Sequence, residues 1–142
     1  MPAGDSDAYE LGSTGDVSPL STAQRSDLTR LVERARSICG FGFGVYIGPL
    51  PSGRESAVAQ HALLPDPASG VLVAVDPSSR IIEIVTGINT VSALDNRACE
   101  FAALSMKSCF VADDLVGGVR EGVTLLAQHA RHPVVMHLDD PA

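Results

Sequence analysis

Gly70–Gly87 reads GVLVAVDPSSRIIEIVTG, two apolar runs rich in β-branched residues joined by Asp76-Pro77-Ser78-Ser79 and closed by Thr86-Gly87. Val71 to Val75 is apolar at every position, the pattern of a strand buried on both faces rather than one half exposed to water. Asp-Pro-Ser-Ser carries turn chemistry, because the proline presets φ and the aspartate and serines bond to nearby backbone. Arg80 to Thr86 then returns antiparallel, with Glu83 the only charge inside the apolar part of the run. The hairpin is the centre of the fold.

Upstream, Phe43–Gly48 (FGVYIG) predicts a short strand entered through Gly40-Phe41-Gly42. These glycines precede the strand, whereas a dinucleotide-binding fingerprint follows one and opens a helix, so a phosphate cradle is not expected here. Arg54 to Leu64 groups Ala57, Val58 and Ala62 at helical spacing and stops at Pro65-Asp66-Pro67. A strand, a helix and a second strand in this length predict a right-handed crossover and a parallel first pair. Further upstream, Ser21-Thr22-Ala23-Gln24 is a capping box. Leu28, Leu31, Val32, Ala35 and Ile38 follow at helical spacing up to Gly40, predicting a helix over about Thr22 to Cys39.

Downstream, Thr86 to Thr90 reads as loop, and Ser92-Ala93-Leu94-Asp95 as a cap for a helix carrying Cys99, Ala102, Ala103 and Met106 to about Cys109. Asp113-Asp114 precede a last helix with Leu115, Val119, Val123, Leu126 and Ala130, expected to end at Pro133 before a short edge strand at Val134–Leu138. The fold class is α/β, a small mixed β-sheet sandwiched between helices in the order α-β-α-β-β-α-α. One domain spans 20–138. A polar segment without apolar period, 1–19, is expected to be disordered, and 139–142 to form an acidic tail.

A chain of 142 residues with 45% hydrophobic residues builds one well-buried core. Of its 17 acidic residues, Asp5, Asp7, Glu10, Asp16, Asp139 and Asp140 lie at the two ends, where there is no Lys or Arg; the remainder nearly balance the 10 basic residues. The acidity therefore belongs to the ends, and the scattered bases give no electrostatic footprint for nucleic acid. The three cysteines, Cys39, Cys99 and Cys109, lack metal or redox spacing and read as reduced, buried side chains. No window is apolar enough for a membrane span, and the polar, acidic start does not resemble a signal peptide, so a cytoplasmic location is expected.

The layout sorts the chemistry-bearing residues to two ends of the sheet. Asp76, at the carboxyl end of the parallel strands, should meet Asp113 and Asp114, returned there by the helix that Asp95 opens. Asp66 and Asp95 should lie at the other end with Thr86, Gly87 and Asn89. Either grouping offers oxygen ligands to Ca²⁺ or another divalent cation, although Asp95 and Asp114 also stand where helix starts favour carboxylates and Asp76 where a turn does. Arg80, Arg97 and Arg120 are the basic residues near enough to be considered for a phosphate. His129 and His132 are spaced as a metal pair, but at a helix end that also favours cations. Neither a nucleophile elbow, a zinc-protease motif nor a phosphate-binding loop occurs.

Taken in order, LSTAQRSDLTRLVERA, GFGVYIG, GVLVAVDPSSRIIEIVTG, ALDNRACEFAALSM and DDLVGGVREGVTLLA resemble the TPM domain, a family that takes its name from a thylakoid-lumen phosphatase, a photosystem II repair protein and a nematode receptor modulator. The likeness runs over about 17–131 and is nearest to an actinobacterial branch of unknown function. It implies an α/β sandwich, carries Gly70, Thr86, Gly87, Asp95 and Asp114 over by position, and brings in an aspartate-rich, calcium-associated cleft with acid phosphatase activity in plant members. Export signals and membrane anchors are usual in that family, and neither is expected from this sequence. Two functions follow as expectations: a non-catalytic binding or assembly-support module for a partner protein, or a divalent-metal-assisted phosphatase acting on phosphomonoesters.

Overall fold

A computed structural model of the chain describes the backbone over 20–139 and side chains over 20–131. The expected segments 1–19 and 140–142 lie outside the described residues. Helix α1 (Thr22–Cys39) begins with a complete capping box: Gln24 N–H donates to Ser21 Oγ at 3.1 Å, and the Gln24 side chain accepts from Ser21 N–H at 2.9 Å. It ends at Gly40, whose φ of 87° is the left-handed turn that glycine adopts without steric cost.

Strand β1 (Gly42–Ile47), helix α2 (Arg54–His61), strand β2 (Gly70–Asp76) and strand β3 (Ile81–Thr86) complete the sheet in the order β1-β2-β3. β1 runs parallel to β2, with Val45 opposite Val73, and β3 runs antiparallel, with Ile84 opposite Val73 on the other side. All seven residues of β2 are buried, as its unbroken apolar run requires of a central strand covered on both faces. Burying each large side chain of this strand contributes about 1.5–3 kcal/mol.

The alternation of side chains divides the interior into two unequal layers. Val45, Val71, Val73 and Ile84 face the larger core, shared with α1, helix α3 (Asn96–Val111) and helix α4 (Leu115–Asp139). Tyr46, Leu72, Ala74 and Val85 face a smaller core under α2, built around Leu50, Ala57 and Leu64. Arg54, at the start of α2, reaches across that smaller layer to β3, where it pairs with Glu83 at 3.0 Å and donates to the Ile84 carbonyl at 3.3 Å.

α3 and α4 form a tight hairpin. A Cβ on Gly118 would stand 2.7 Å from Phe110 Cδ1, and one on Gly122 would stand 2.6 Å from Met106 Cγ, so these glycines are the seats of the two side chains. The C-terminal expectation requires correction. The backbone is helical through Asp139, rather than stopping at Pro133 and forming a strand at Val134–Leu138. Proline withholds one amide proton and so interrupts one rung of the helical ladder, while rungs on either side still form.

Candidate functional site

The carboxyl end of the parallel strand pair carries a cleft of about 340 Å³. Asp76, the last residue of β2, contributes a nearly buried carboxylate to its wall. Oδ2 accepts the Leu50 N–H at 2.9 Å and Oδ1 the Ser79 N–H at 3.3 Å. The first bond ties the β1–α2 connection to the end of β2; the second closes the hairpin turn on its own first residue.

Opposite Asp76 stand Lys107 and Asp113 from the end of α3, with Arg80 on the hairpin rim and Ile82, Phe110 and Leu115 supplying apolar surface. Arg80 and Asp113 are the non-glycine residues with positive φ among the described residues, at 59° and 65°. Both local causes are visible. Arg80 is the last residue of the four-residue loop between Asp76 and Ile81, which pair across the hairpin. Asp113 follows the C-cap of α3: its N–H bonds to the Phe110 carbonyl at 2.9 Å, and the next N–H, of Asp114, reaches back to the Cys109 carbonyl at 2.9 Å. That pair of bonds needs a left-handed residue, usually glycine. Two charged side chains thus stand on the rim of one cleft at positions where glycine would be the less strained choice.

Asp114 turns away to its own helix, where Oδ1 accepts the Gly117 N–H at 2.9 Å. The expected trio of aspartates therefore resolves into Asp76 and Asp113 on the cleft and Asp114 as the cap of α4. Asp95 does the same for α3, accepting the Ala98 N–H at 2.9 Å. Asp66 lines a separate depression of about 320 Å³ with Glu33, Arg36 and Leu64, and Asp95 is not among its lining residues. Among the described residues no three His, Cys, Asp or Glu side chains converge as a metal-holding group.

The Thr86–Gly87 end is packed backbone. Gly87 N–H donates to the Gly70 carbonyl at 2.9 Å, and a Cβ on Gly87 would strike the carbonyls of Pro67 and Ala68. Asn89 bonds to the Ala68 carbonyl at 2.8 Å and to Ser69 Oγ at 2.9 Å, and His61 Nε2 lies 3.0 Å from the Gly70 carbonyl. Thr86 sits half-buried opposite Val71, and Arg97 is exposed in the first turn of α3. Gly70 and Gly87 thus occupy close backbone approaches, Asp95 and Asp114 helix starts, and Thr86 the half-buried end of β3. All three cysteines are free; burial raises the thiol pKa of Cys39 and of Cys99, with the nearby Asp95 adding to the effect at Cys99.

Two features escaped the reading of the sequence. Lys107 and Phe110 reach the cleft from α3, and the outer face of the same helix carries exposed Phe101, Leu104 and Val111. A signal for the second was present: positions 101, 104 and 111 fall on one side of a 3.6-residue period, opposite the buried Ala102 and Met106. No helix among the described residues is long and apolar enough to cross a membrane.

The architecture is similar to a solution NMR structure of the N-terminal domain of a protein from P. gingivalis, with a TM-score of 0.68 and 18% sequence identity over 94% of this chain and 88% of that one. At that identity the likeness speaks for the fold alone. In sequence, a family described as "Domain of unknown function (DUF5130)" matches residues 5–127, which includes every strand, the first three helices and both rims of the cleft. The chain belongs to this family of domains of unknown function.

Proposed function

We propose that this domain is a non-catalytic binding module that docks a partner protein on the outer face of α3. The observation that carries the reading is the stripe of Phe101, Leu104 and Val111, which are 60%, 64% and 76% exposed. Ten residues of helix separate its ends, a length of about 15 Å at 1.5 Å per residue. Scattered apolar residues on a surface need no explanation, but large ones aligned on one helical face form a patch suited to a complementary apolar ridge. Ile88 and Val91, exposed in the loop that leads into α3, add to the apolar surface before that helix. The resemblance to the TPM domain supports a compact α/β platform of this kind.

The alternative, a hydrolase using Ca²⁺ or another divalent cation on Asp66, Asp76, Asp95, Asp113 or Asp114, draws support from the meeting of Asp76 and Asp113 in one cleft. The hydrogen bonds favour the module, since Asp76, Asp95 and Asp114 each hold backbone amides that folding needs satisfied. A photo-reactive residue at Leu104, compared with one at the exposed Gln128 of α4, tests the docking face. A discrete adduct from position 104 that disappears with Phe101→Asp supports the module; equal labelling from both positions overturns it.

A further inference from the structure

The cleft between the hairpin and the end of α3 meets the stripe at Val111, which lines both, and is otherwise built from other residues. Its apolar surface includes Ile82, Phe110, Val111 and Leu115, and its rim Arg80, Lys107 and Asp113. Among the described residues neither Arg80 nor Lys107 takes part in an ion pair, and the Asp113 carboxylate accepts no hydrogen bond. Asp76, the fourth charge, already has both oxygens engaged by the Leu50 and Ser79 amides. The uncommitted groups are therefore two cations and one carboxylate around an apolar surface, within a volume at the lower end of the range for small-ligand sites.

We infer that this cleft binds the N-acylated α-amino-acid unit, a free carboxylate beside an amide N–H and an apolar side chain, as presented by an acyl amino acid or by the C-terminus of a peptide. The carboxylate answers Arg80 and Lys107, whose charge-assisted bonds to an anion are the stronger kind of hydrogen bond. The amide N–H, one bond from the same α-carbon, answers Asp113, and the side chain covers Phe110 and Ile82. A plain anion leaves Asp113 facing like charge, and a plain amide leaves both cations unanswered. The combined unit satisfies all three rim groups at once, which is the form specificity takes when a site's polar groups would otherwise lose a partner. Arg80 and Asp113 are also the rim residues held in left-handed backbone, so their charges are kept at positions where the chain gains nothing locally from them.

Titration followed by amide chemical shifts tests this on the intact chain, with N-acetyl-leucine, N-acetyl-leucinamide, hexanoate, and a hexapeptide ending in leucine with a free or an amidated C-terminus. Saturable shifts at Ile82, Lys107 and Phe110 are expected with N-acetyl-leucine and the free-ended peptide. Binding should be about tenfold weaker or worse with each amide and with hexanoate. A free-ended peptide much tighter than N-acetyl-leucine assigns the site to chain ends; the reverse assigns it to the small acyl amino acid, and either supports the inference. Arg80→Gly separates binding from folding, because glycine accepts the left-handed backbone; it should remain folded and lose at least tenfold in affinity, as should Lys107→Gln. Absence of saturable shifts at the cleft overturns the inference, as does unchanged affinity in a folded Arg80→Gly protein. Photo-labelling from Leu104 reports on the α3 stripe independently.

Discussion

The Asp76 carboxylate accepts the Leu50 backbone N–H at 2.9 Å across the ends of two parallel strands, joining residues 26 apart in sequence. Leu50 is itself buried in the smaller core, so the bond fixes where the chain leaves β1 and enters α2. Asp76→Ala leaves that buried amide without an acceptor and should cost about 2 kcal/mol. Asp76→Asn keeps a carbonyl acceptor and should recover at least half. Urea denaturation of the three proteins reads the difference, and equal stability of all three would remove the carboxylate from the structural account.

The caps give a sharper test of what the aspartates do. Asp95→Ala and Asp114→Ala should each lose about 1 kcal/mol, while Asp95→Asn and Asp114→Asn should stay within a few tenths of the parent, because asparagine caps a helix as well as aspartate. Metal ligation follows charge instead. A Ca²⁺-dependent rise in melting temperature that both asparagine variants abolish would assign these residues to a cation.

Asp113 stands in a left-handed terminus where glycine is the usual residue. Asp113→Gly should therefore stabilise the protein by about 1 kcal/mol. A fall in the thermal midpoint would show that the carboxylate makes a contribution of its own to the fold.

Close backbone approaches should be the least tolerant positions. Gly87→Ala places a methyl group against two rigid carbonyls and should cost about 3 kcal/mol, the upper end of overpacking. Gly122→Ala meets a side chain that can shift and Gly118→Ala meets chiefly one, with the Met106 carbonyl 3.1 Å away; both gain helix propensity, so a net loss of about 1 kcal/mol is expected for each. Circular-dichroism melts rank the three; Gly87→Ala ranking as the mildest would contradict the packing.

The thiols give a pH signature. The folded pKa values of Cys39 and Cys99 are raised by burial, so the folded state keeps its thiol protons where the unfolded chain begins to lose them. Their contribution to stability is complete below the unfolded thiol pKa and is lost as pH rises through the folded values. Alkylation at pH 8, followed residue by residue in the mass spectrum, should be slower at both than in the denatured chain. Faster reaction in the folded state would mean that burial does not govern these cysteines.

The hairpin, its parallel partner and the first helix were legible because each rests on local chemistry: an unbroken apolar run, an Asp-Pro turn, a capping box. Bringing Asp113 to the same cleft as Asp76 was also legible, since it needs only strand direction and the length of α3. What the local signals could not settle was the use made of each carboxylate. Asp95 and Asp114 serve as a ligand or as a cap according to which amide comes within reach, and Asp76 depends on Leu50, far away in sequence. Pro133 misled because a proline marks a lost hydrogen bond, not the end of the surrounding helix.

Arg54 has a consequence for how the sheet stops. The Gly87–Gly70 bond sets the pairing phase of β2 with β3, and three pairs along, Ile84 opposite Val73 falls in a pair whose carbonyls point away from each other. The Ile84 carbonyl that accepts Arg54 therefore faces the open margin of the sheet. A guanidinium rooted in the crossover helix thus takes a hydrogen bond that an incoming strand would use, and its pairing with Glu83 sets a charge at the same margin, where exposed strand edges otherwise invite neighbouring molecules to add on.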